Sequence, residues 1–339
     1  MQYNTEIINK LTMIYELRGK TNVYETDYKD TLDKLTEIAK VQSTTSSNRI
    51  EGIYTTNSRL NAIMAEKTAP KTRDEKEITG YRDVLNLIHE SYDYIPINRN
   101  TILELHKRLF AYTGNYWGGT FKDSDNRIIT QYADGREEVR FEPPAAFITP
   151  ALINDLCDNY NRAIAKGGIS PLILSAAFIF DFVSIHPFND GNGRMSRLLM
   201  LLTMYKNGFD VGKYVSIEKA IEDTKDSYYQ ALKESSVAWH TNANDYYPFV
   251  DYFLGIVLKT YREFNDRLRL VNHTDLPVNA LVIKVLRQAL HPLSIKELNA
   301  SLPQYSEITI RRAVTALREQ GKVVKLGQGR STKYGLIQD

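Results

Sequence analysis

The sequence predicts a mainly α-helical protein that carries one inserted β-hairpin and a separate C-terminal domain. Apolar residues recur at intervals close to 3.6 through most of the chain, as expected for helices that bury one face. Glycines and β-type runs are concentrated between residues 114 and 144, which indicates a hairpin inserted among helices. The chain has 339 residues, of which 42% are hydrophobic, enough for roughly two domains with real cores.

The helices of the first part of the chain surround one very apolar segment. Helical spacing is found in YKDTLDKLTEIAKVQ, in RDVLNLIHESYDYI and in NRNTILELHKRLFAYT, which begins with the good capping residue Asn98. Residues 171–185, PLILSAAFIFDFVSI, are apolar on nearly every side, which predicts a central buried helix. Pro187 disfavours helical geometry at His186, so this helix is expected to end there.

The inserted hairpin is predicted from two β-type runs and the turn between them. The runs are RIIT at 127–130 and EEVRF at 137–141, and Asp134-Gly135 supplies the turn signal. Helical patterns resume at Thr149.

A second domain is predicted after a boundary near residues 269–277. The helical patterns NALVIKVLRQALH, LSIKELNASL and SEITIRRAVTALREQ precede two β-type runs around a glycine-rich tip, which is the element order of a winged-helix domain. This tail is locally basic, with ten Lys or Arg residues against four acids. We therefore expect an N-terminal helical region at 1–74, a helical core at 75–268 and a winged-helix domain at 278–339.

Composition narrows the class of protein. The net charge is only +2, so the charge of the whole chain gives no indication of nucleic-acid binding. The single cysteine, Cys157, excludes an intrachain disulfide and a thiolate zinc cluster, in keeping with a reducing compartment. The N-terminus lacks a cationic start followed by an apolar run, and no apolar stretch reaches the length of about 20 residues that a membrane span needs. We expect a soluble cytoplasmic protein without a membrane partner.

The segment with the most chemical content is HPFNDGNGRMSR, residues 186–197, which interrupts the most apolar part of the sequence. Glycines let backbone N–H groups approach a ligand, and a helix that begins here adds unpaired N–H donors, so the segment suits an anion. Arg194 and Arg197 project from one helix face and suit a polyphosphate. Asp190 is suited to hold Mg²⁺ and His186 to act as a general base. The alternative, an ordinary helix–helix turn with glycine caps, explains the combination poorly.

This segment resembles the motif HPFx[DE]GNGRxxR of the Fic family, with every defined position matched. The resemblance covers roughly residues 75–265 and includes LELHKRLF, the hairpin that ends in FEPP, and DSYYQAL followed by YYPFVDYFL. It implies a Fic-type helical core with a small β-hairpin flap. It also implies the usual activity of the family, AMPylation, in which AMP passes from ATP to a hydroxyl side chain (Ser, Thr or Tyr) of a target protein and pyrophosphate is released.

The resemblance also implies roles for individual residues. His186 is expected to deprotonate the target hydroxyl, and Asp190 to hold Mg²⁺ against the phosphates of ATP. Arg194 is expected to contact the β-phosphate and Arg197 the γ-phosphate, while Phe188 points inward and anchors the loop. The phosphate cradle is expected to consist of Gly191, Asn192 and Gly193. An adenine pocket is expected near Tyr228 and Tyr229, with core packing of these two rings as an equal alternative. The flap that pairs with the target backbone is expected to be formed by Arg127, Ile128, Ile129 and Thr130.

A second stretch, STTSSNRIEGIY, lies before the core. Ser47, Glu51 and Gly52 fit [ST]xxxE[GN], which resembles the inhibitory motif found before many Fic cores; taken alone, the stretch is also a plain helix end capped by Gly52. A glutamate laid against Arg197 would occupy the γ-phosphate position and leave the triphosphate of ATP misplaced for transfer. In some relatives the same glutamate also helps to remove AMP from the target, and for Glu51 this stays open.

The leading hypothesis is an auto-inhibited protein adenylyltransferase that uses ATP and Mg²⁺, with self-modification as a further reaction. One alternative is a DNA-binding regulator whose Fic core only senses nucleotide, and another is a Fic enzyme that transfers a different phosphate-containing group. The intact His186 favours an enzyme, because a sensor needs no base. DNA contacts, with protein docking as the alternative, are expected on the winged-helix domain at Arg311, Arg312, Lys325, Arg330 and Lys333.

Overall fold

The structure, a computed structural model, is mainly α-helical, as the sequence predicts. It describes residues 4–21, 29–131, 137–274, 277–289, 292–302, 305–327, 329 and 332–337. These residues belong to two compact units, Met1–Asn265 and Asp266–Asp339. Within the described ranges, no helix has the length and apolar character needed to span a membrane.

The first unit holds ten helices, most of an eleventh, and one pair of strands among its described residues. In chain order their bounds are α1 Thr5–Thr21, α2 Lys29–Ile50, α3 Asn57–Met64, α4 Arg73–Ser91, α5 Arg99–Leu109, β1 Ile128–Gln131, β2 Glu137–Phe141, α6 Thr149–Lys166, α7 Pro171–Ile185, α8 Asn192–Lys206, α9 Ile217–Glu222, α10 Lys225–Ser235 and α11 Tyr247–Thr274.

The central helix of this unit is α7, which packs against α6 and α8. Its phenylalanines Phe178, Phe180 and Phe182 are buried, and burying such a side chain contributes about 1.5–3 kcal/mol. The helix ends at Ile185, and His186 adopts φ 49° and ψ 62° in the left-handed region. Pro187 explains this end, because the residue before a proline is disfavoured in the helical conformation. A non-glycine residue in this region costs about 1–2 kcal/mol, which the contacts of the following loop offset.

The last turns of α2 are helical although their sequence, STTSSN, favours helices weakly. Short hydroxyl and amide side chains compete for backbone hydrogen bonds and so lower helix propensity. Here two of the hydroxyls bond to α9 instead: Ser43 Oγ donates to Glu218 Oε2 at 2.6 Å and Ser46 Oγ to Glu222 Oε2 at 2.7 Å. These contacts, together with those between α2 and α8, bring the end of α2 to the start of α8.

The inserted hairpin is antiparallel, with Ile129 opposite Val139 and a register shift beside Ile128. The predicted turn at residues 134–135 lies outside the described residues. Ile129 and Val139 are 45% and 46% exposed, so this pair of strands presents two apolar side chains to solvent.

The second unit, taken by itself, contains helices α12 (Val278–Gln288), α13 (Ile295–Ser301) and α14 (Glu307–Glu319), followed by the antiparallel strands β3 (Val323–Leu326) and β4 (Lys333–Leu336). This order of elements agrees with the one that the sequence predicts. Apolar side chains from all three helices form its core, and a capping box at Ser294 begins α13.

Candidate active site

The loop between α7 and α8 is built around one buried aromatic ring. Phe188 is fully buried and lies flat on the His106 imidazole, with ring centroids 3.6 Å apart. His106 Nδ1 accepts from the Gly119 N–H at 2.9 Å, so Nε2–H donates to the Asp190 carbonyl at 3.1 Å. Burial lowers the pKa of His106 to about 4, which keeps this neutral tautomer. The resemblance implies Phe188 as the anchor of the loop, but nothing in the sequence pattern points to His106.

Two residues of the predicted phosphate cradle shape the loop itself. Asn192 Nδ2 donates to the Phe188 carbonyl at 2.8 Å, and Asn192 Oδ1 accepts from the Phe188 N–H at 2.9 Å. The Asn192 side chain therefore points to the backbone of its own loop. Gly191 has φ 81°, and a Cβ there would lie 2.8 Å from the Phe110 ring, so glycine is required. Of the three residues of the predicted phosphate cradle, only Gly193, at the N-terminus of α8, therefore remains to face a phosphate.

A buried lysine ties the end of α7 to the chain that leads into the hairpin. The Lys122 N–H donates to the Pro187 carbonyl at 2.9 Å, and Lys122 Nζ donates to the Ile185 carbonyl at 3.3 Å and to Asn126 Oδ1 at 2.9 Å. Burial lowers the pKa of Lys122 to about 8. The ammonium thus satisfies a carbonyl at the C-terminal end of a helix, where cations are favoured.

His186 has the tautomer that a general base needs. Its Nδ1 lies 3.4 Å from the Val183 carbonyl oxygen, which can only accept, so Nδ1 carries the proton and Nε2 keeps a lone pair. Burial lowers the pKa of His186 to about 4; the Val183 carbonyl and Glu51 act in the opposite direction, and Lys122 adds to the lowering. The imidazole is therefore neutral at pH 7 and able to accept a proton.

Arg197 is buried and is held by the end of α2. Its Nε donates to Ser47 Oγ at 2.8 Å, and its Nη2 donates to the Ser47 carbonyl at 2.9 Å and to Glu51 Oε1 at 2.7 Å. Burial raises the pKa of the Glu51 carboxyl, but Arg197 lowers it, with Arg194 and Lys225 acting in the same direction, and the net shift is downward. Glu51 is therefore ionised at neutral pH. Its side chain is 32% exposed, so the carboxylate also keeps some contact with water.

The Glu51 carboxylate also covers the first turn of α8. A Cβ built on Gly193 would collide with Glu51 Oε1, which shows that the carboxylate rests against the Gly193 backbone. The first N–H groups of a helix have no partner within the helix, and the helix dipole gives this end a partial positive charge. Glu51 thus occupies the position that is best suited to a phosphate.

Arg194 is also buried, but its carboxylate partner is different. Arg194 Nη1 lies 2.7 Å from Glu77 Oε2 of α4, with side chains 1% and 2% exposed. The N–H is not aligned on the carboxylate, so the contact is an ion pair rather than a hydrogen bond; within the described part of the chain, neither Nε nor Nη1 of Arg194 has an aligned acceptor. Glu77 Oε1 accepts from Arg73 Nε at 2.8 Å. The Arg194 guanidinium therefore keeps donors that a ligand oxygen would satisfy.

Asp190 is the carboxylate predicted to hold Mg²⁺. Its side chain is 42% exposed, and Oδ1 accepts from the Gly191 N–H at 2.6 Å. Its Oδ2 lies 3.6 Å from Arg73 Nη2. One accessible carboxylate beside an anion site fits Mg²⁺, which proteins commonly bind through one or two carboxylates together with phosphate oxygens and waters.

A cavity of about 390 Å³ joins the base to the arginine site. Tyr228 is 3% exposed and mainly packs in the core, whereas Tyr229 is half-buried with its ring centroid 4.5 Å from the Arg140 guanidinium carbon. Ser236 also lines the cavity. The predicted site residues that line it are Glu51, Ile128, Ile129, His186, Gly193, Arg197, Tyr228 and Tyr229. The others, Ser47, Arg127, Thr130, Asp190, Gly191, Asn192 and Arg194, are not among its lining residues.

The flap contributes one face of this cavity. Ile128 and Ile129 line it from β1, while Arg127 lies outside and its Nε is 3.4 Å from Glu142 Oε1 on the surface. The backbone of Thr130 pairs opposite Glu138. Three further cations line the cavity that no sequence motif indicates, namely Arg140, Lys225 and Lys233.

The residues expected to contact DNA are mostly on the surface of the second unit. Arg311 and Arg312 are exposed on α14, where Arg311 Nη2 lies 2.7 Å from Glu307 Oε1, and Lys325 and Lys333 are exposed on the strands. Arg330 lies outside the described residues. Contact with DNA stays a prediction.

Comparison with known proteins points to one family. Residues 96–204 match the family described as Fic/DOC. A Fido domain-containing protein of Dictyostelium discoideum is 36% identical over 117 residues, which are 32% of this chain and 82% of that protein. Protein adenylyltransferase Fic of Drosophila melanogaster is 28% identical over 215 residues, which are 62% of this chain. The matched regions span 39% of that enzyme and 48% of the Drosophila persimilis enzyme, so the chain covers less than half the length of these relatives.

Solved structures share the fold at low sequence identity. A Fic family protein from Desulfovibrio desulfuricans is 21% identical, with a TM-score of 0.65 over 100% of this chain and 98% of that one. Fic-1 from C. elegans is also 21% identical, with a TM-score of 0.62 over 78% of this chain and 73% of that one.

Proposed function

Since this chain belongs to the Fic/DOC family, we propose that it is an auto-inhibited protein adenylyltransferase. It transfers AMP from ATP to a hydroxyl side chain of a target protein and releases pyrophosphate. The observation that carries the proposal is a single cavity in which His186, the N-terminus of α8 and Arg197 meet, with Glu51 laid across the last two. The names of the Drosophila relatives support the reaction type.

The chemistry assigns one role to each group. The target hydroxyl oxygen attacks the α-phosphorus, the bond from that phosphorus to the oxygen bridging to the β-phosphate breaks, and pyrophosphate leaves with the electron pair. His186 Nε2 takes the proton of the hydroxyl. The amides of α8, Arg194 and Arg197 stabilise the negative charge that develops on the leaving phosphates.

Asp190 is the residue that would hold Mg²⁺, which neutralises phosphate charge when bound. The chain itself fixes the position of Asp190, because His106 binds its carbonyl oxygen and the Gly191 N–H binds its carboxylate. Lys122 and Asn192 fix the rest of the loop in the same way. The base and the metal carboxylate are thereby held at a constant separation.

Glu51 supplies the inhibition. Its carboxylate takes the place at Arg197 and Gly193 that the γ-phosphate needs, so ATP would bind with its α-phosphorus out of line with the attacking hydroxyl. Glu51 and His186 line one cavity, so we extend the proposal to hydrolytic de-AMPylation, in which Glu51 aligns a water that attacks the phosphorus, the bond to the target oxygen breaks, and AMP and the free hydroxyl are released. The exposed hairpin is the proposed flap for the target segment, which is a second protein or a segment of this chain.

Two other functions make less use of this arrangement. A nucleotide sensor would need the phosphate site but not a neutral imidazole poised beside it. Transfer of phosphate or of another phosphate-containing group would use the same base, and it differs from AMP transfer in which phosphate of ATP reaches the target.

The chain is incubated with lysate and ATP labelled on either the α- or the γ-phosphate, and labelled proteins are identified by mass spectrometry. Only labelling that is lost with His186→Ala is counted, because kinases in the lysate also transfer the γ-phosphate. AMP transfer places the α-label alone on such a target, and a His186-dependent γ-label would contradict it.

We expect His186→Ala to lower transfer by about 10²–10⁴-fold while leaving ATP affinity nearly unchanged, because the imidazole acts on the hydroxyl and not on the phosphates. Transfer is measured by labelling and ATP affinity by calorimetry, both in the Glu51→Gly background so that the parent rate is high. A variant that labels targets at the parental rate would remove His186 from the mechanism.

A further inference from the structure

Lys225, the first residue of α10, holds the end of the helix that carries Glu51. Its Nζ donates to the Ile50 carbonyl at 2.8 Å. The last carbonyls of a helix have no partner within it, and a cation there also meets the negative end of the helix dipole. The segment with Glu51 is therefore held by two cations from two helices, Arg197 of α8 and Lys225 of α10.

Lys225 also faces the nucleotide cavity. It is one of the lining residues, and its Nζ lies 5.8 Å from the ring centroid of Tyr229. Its charge acts on the Glu51 carboxyl, which places the two groups within electrostatic range of each other. The Lys225 ammonium is thus near both the Glu51 carboxylate and the Tyr229 side of the cavity, where a nucleotide would bind.

The charges that line the cavity are unbalanced without Glu51. The described lining residues include four cations and a single carboxylate, that of Glu51. Arg197 donates to Glu51 and the charge of Lys225 acts on it, so when this carboxylate leaves, these two cations face the cavity and an anion with several charges fits them. The four cations are Arg140, Arg197, Lys225 and Lys233.

We propose that Lys225 exchanges partners, from the Ile50 carbonyl in the closed form to the terminal phosphates of ATP once Glu51 is displaced. A phosphate oxygen carries charge and the carbonyl does not, so the phosphate is the stronger acceptor for an ammonium. The lysine side chain suits the exchange, because its flexible stem and three rotatable donors impose no fixed geometry. This inference rests on the proposed function, since it requires ATP to take the place of Glu51.

The exchange predicts opposite effects of one substitution in two backgrounds. In the wild-type chain, Lys225→Met removes a contact that holds the end of α2, so the segment should open more often. In the Glu51→Gly chain, the same change removes a phosphate contact, so ATP should bind less tightly. A purely structural lysine would not separate ATP from AMP, because AMP lacks the terminal phosphates.

The test compares Lys225→Met with Lys219→Met in both backgrounds. Lys219 is a matched control, because its ammonium pairs with Glu222 and Asp223 of its own region and lines no part of the cavity. In the Glu51→Gly background, calorimetry should show ATP affinity about tenfold weaker or more for Lys225→Met, with AMP affinity unchanged. In the wild-type background, amide hydrogen exchange at residues 47–53 should become faster for Lys225→Met alone.

The two possible failures are distinguishable. If the Glu51→Gly parent binds no ATP, the proposed function is overturned and this inference with it. If the parent binds ATP and the double variant keeps the parental affinity, or loses AMP and ATP affinity equally, only the exchange by Lys225 is overturned. Unchanged hydrogen exchange at residues 47–53 would overturn its role in the closed form.

Discussion

Two arginines lie three residues apart on α8, and both are buried, but the carboxylates they meet have different surroundings. Arg194 meets Glu77, which lies inside α4 with its side chain 2% exposed. Arg197 meets Glu51, which lies just beyond the end of α2 with its side chain 32% exposed and forms part of the cavity wall. The two arginines are therefore equally buried, but solvent and ligands reach Glu51 and do not reach Glu77.

The difference separates a pair that belongs to the fold from a pair that can be replaced. Removing Glu77 would take away the buried partner of the Arg194 guanidinium and leave it only Asp190, whose Oδ1 lies 3.6 Å from Arg194 Nη2 and whose side chain is 42% exposed. Removing Glu51 opens Arg197 to the cavity, and Arg197 keeps both of its hydrogen bonds to Ser47. Arg197 is thus prepared to accept a new anion, whereas Arg194 already has a permanent one and retains donors beside it.

The largest effect is expected from Glu77→Ala, which should lower the free energy of unfolding by about 3–5 kcal/mol because it breaks the buried ion pair of Glu77 with Arg194. Arg73→Ala is the control: it removes a second partner of Glu77 that is 72% exposed, and should cost less than about 1 kcal/mol. Urea unfolding followed by tryptophan fluorescence measures both, since the chain's two tryptophans, Trp117 and Trp239, lie in the first unit. Equal losses for the two variants would contradict the distinction.

Glu51→Gly should leave stability nearly unchanged and raise transfer about 10- to 100-fold, the equivalent of a charge-assisted contact of about 1.5–3 kcal/mol. Labelling with ATP measures the rate. Adding Arg197→Ala to this variant should abolish most of the gain, because the freed guanidinium is what receives the phosphate. If wild type and Glu51→Gly label equally, this glutamate does not inhibit.

The smallest effect concerns pH. Because the net pKa shift of Glu51 is downward, its carboxylate stays ionised above the ordinary value near 4.5, and its pairing weakens only as pH falls below that. The ratio of the Glu51→Gly rate to the wild-type rate should therefore be constant from about pH 8 to about pH 5. The ratio cancels the titration of ATP, and His186 is neutral over this range because burial lowers its pKa to about 4. A ratio that falls towards one near pH 6 would mean that burial governs the carboxyl instead.

The sequence predicts the site best where the functional residues are neighbours along the chain. The residues from His186 to Arg197 follow one another, so their spacing alone predicted a base, an anion site and two arginines in one loop and helix. The end of α2 was predicted as well, because Glu51 followed by Gly52 has a recognisable pattern. Their contact across the fold came from resemblance and not from spacing.

The partners that come from distant segments were missed for a physical reason. Glu77, His106, Lys122 and Lys225 are single polar residues in stretches that also fit an ordinary helix or loop surface. What makes them important is their contact with distant segments: Glu77, His106 and Lys122 are buried against Arg194 or the loop that precedes it, and Lys225 binds the Ile50 carbonyl at the end of α2. Pairwise packing of this kind leaves no periodic signal in one sequence.

The contact between Glu51 and Arg197 spans 146 residues, and its direction along the chain matters for synthesis. Translation proceeds at roughly 5–20 residues per second, so Glu51 leaves the ribosome roughly 7–30 s before Arg197. The α2 segment is therefore already present in the nascent chain when α8 emerges. In the proposed enzyme, the phosphate site has its own carboxylate beside it from the moment it forms, and the newly made chain meets cellular ATP in the closed state.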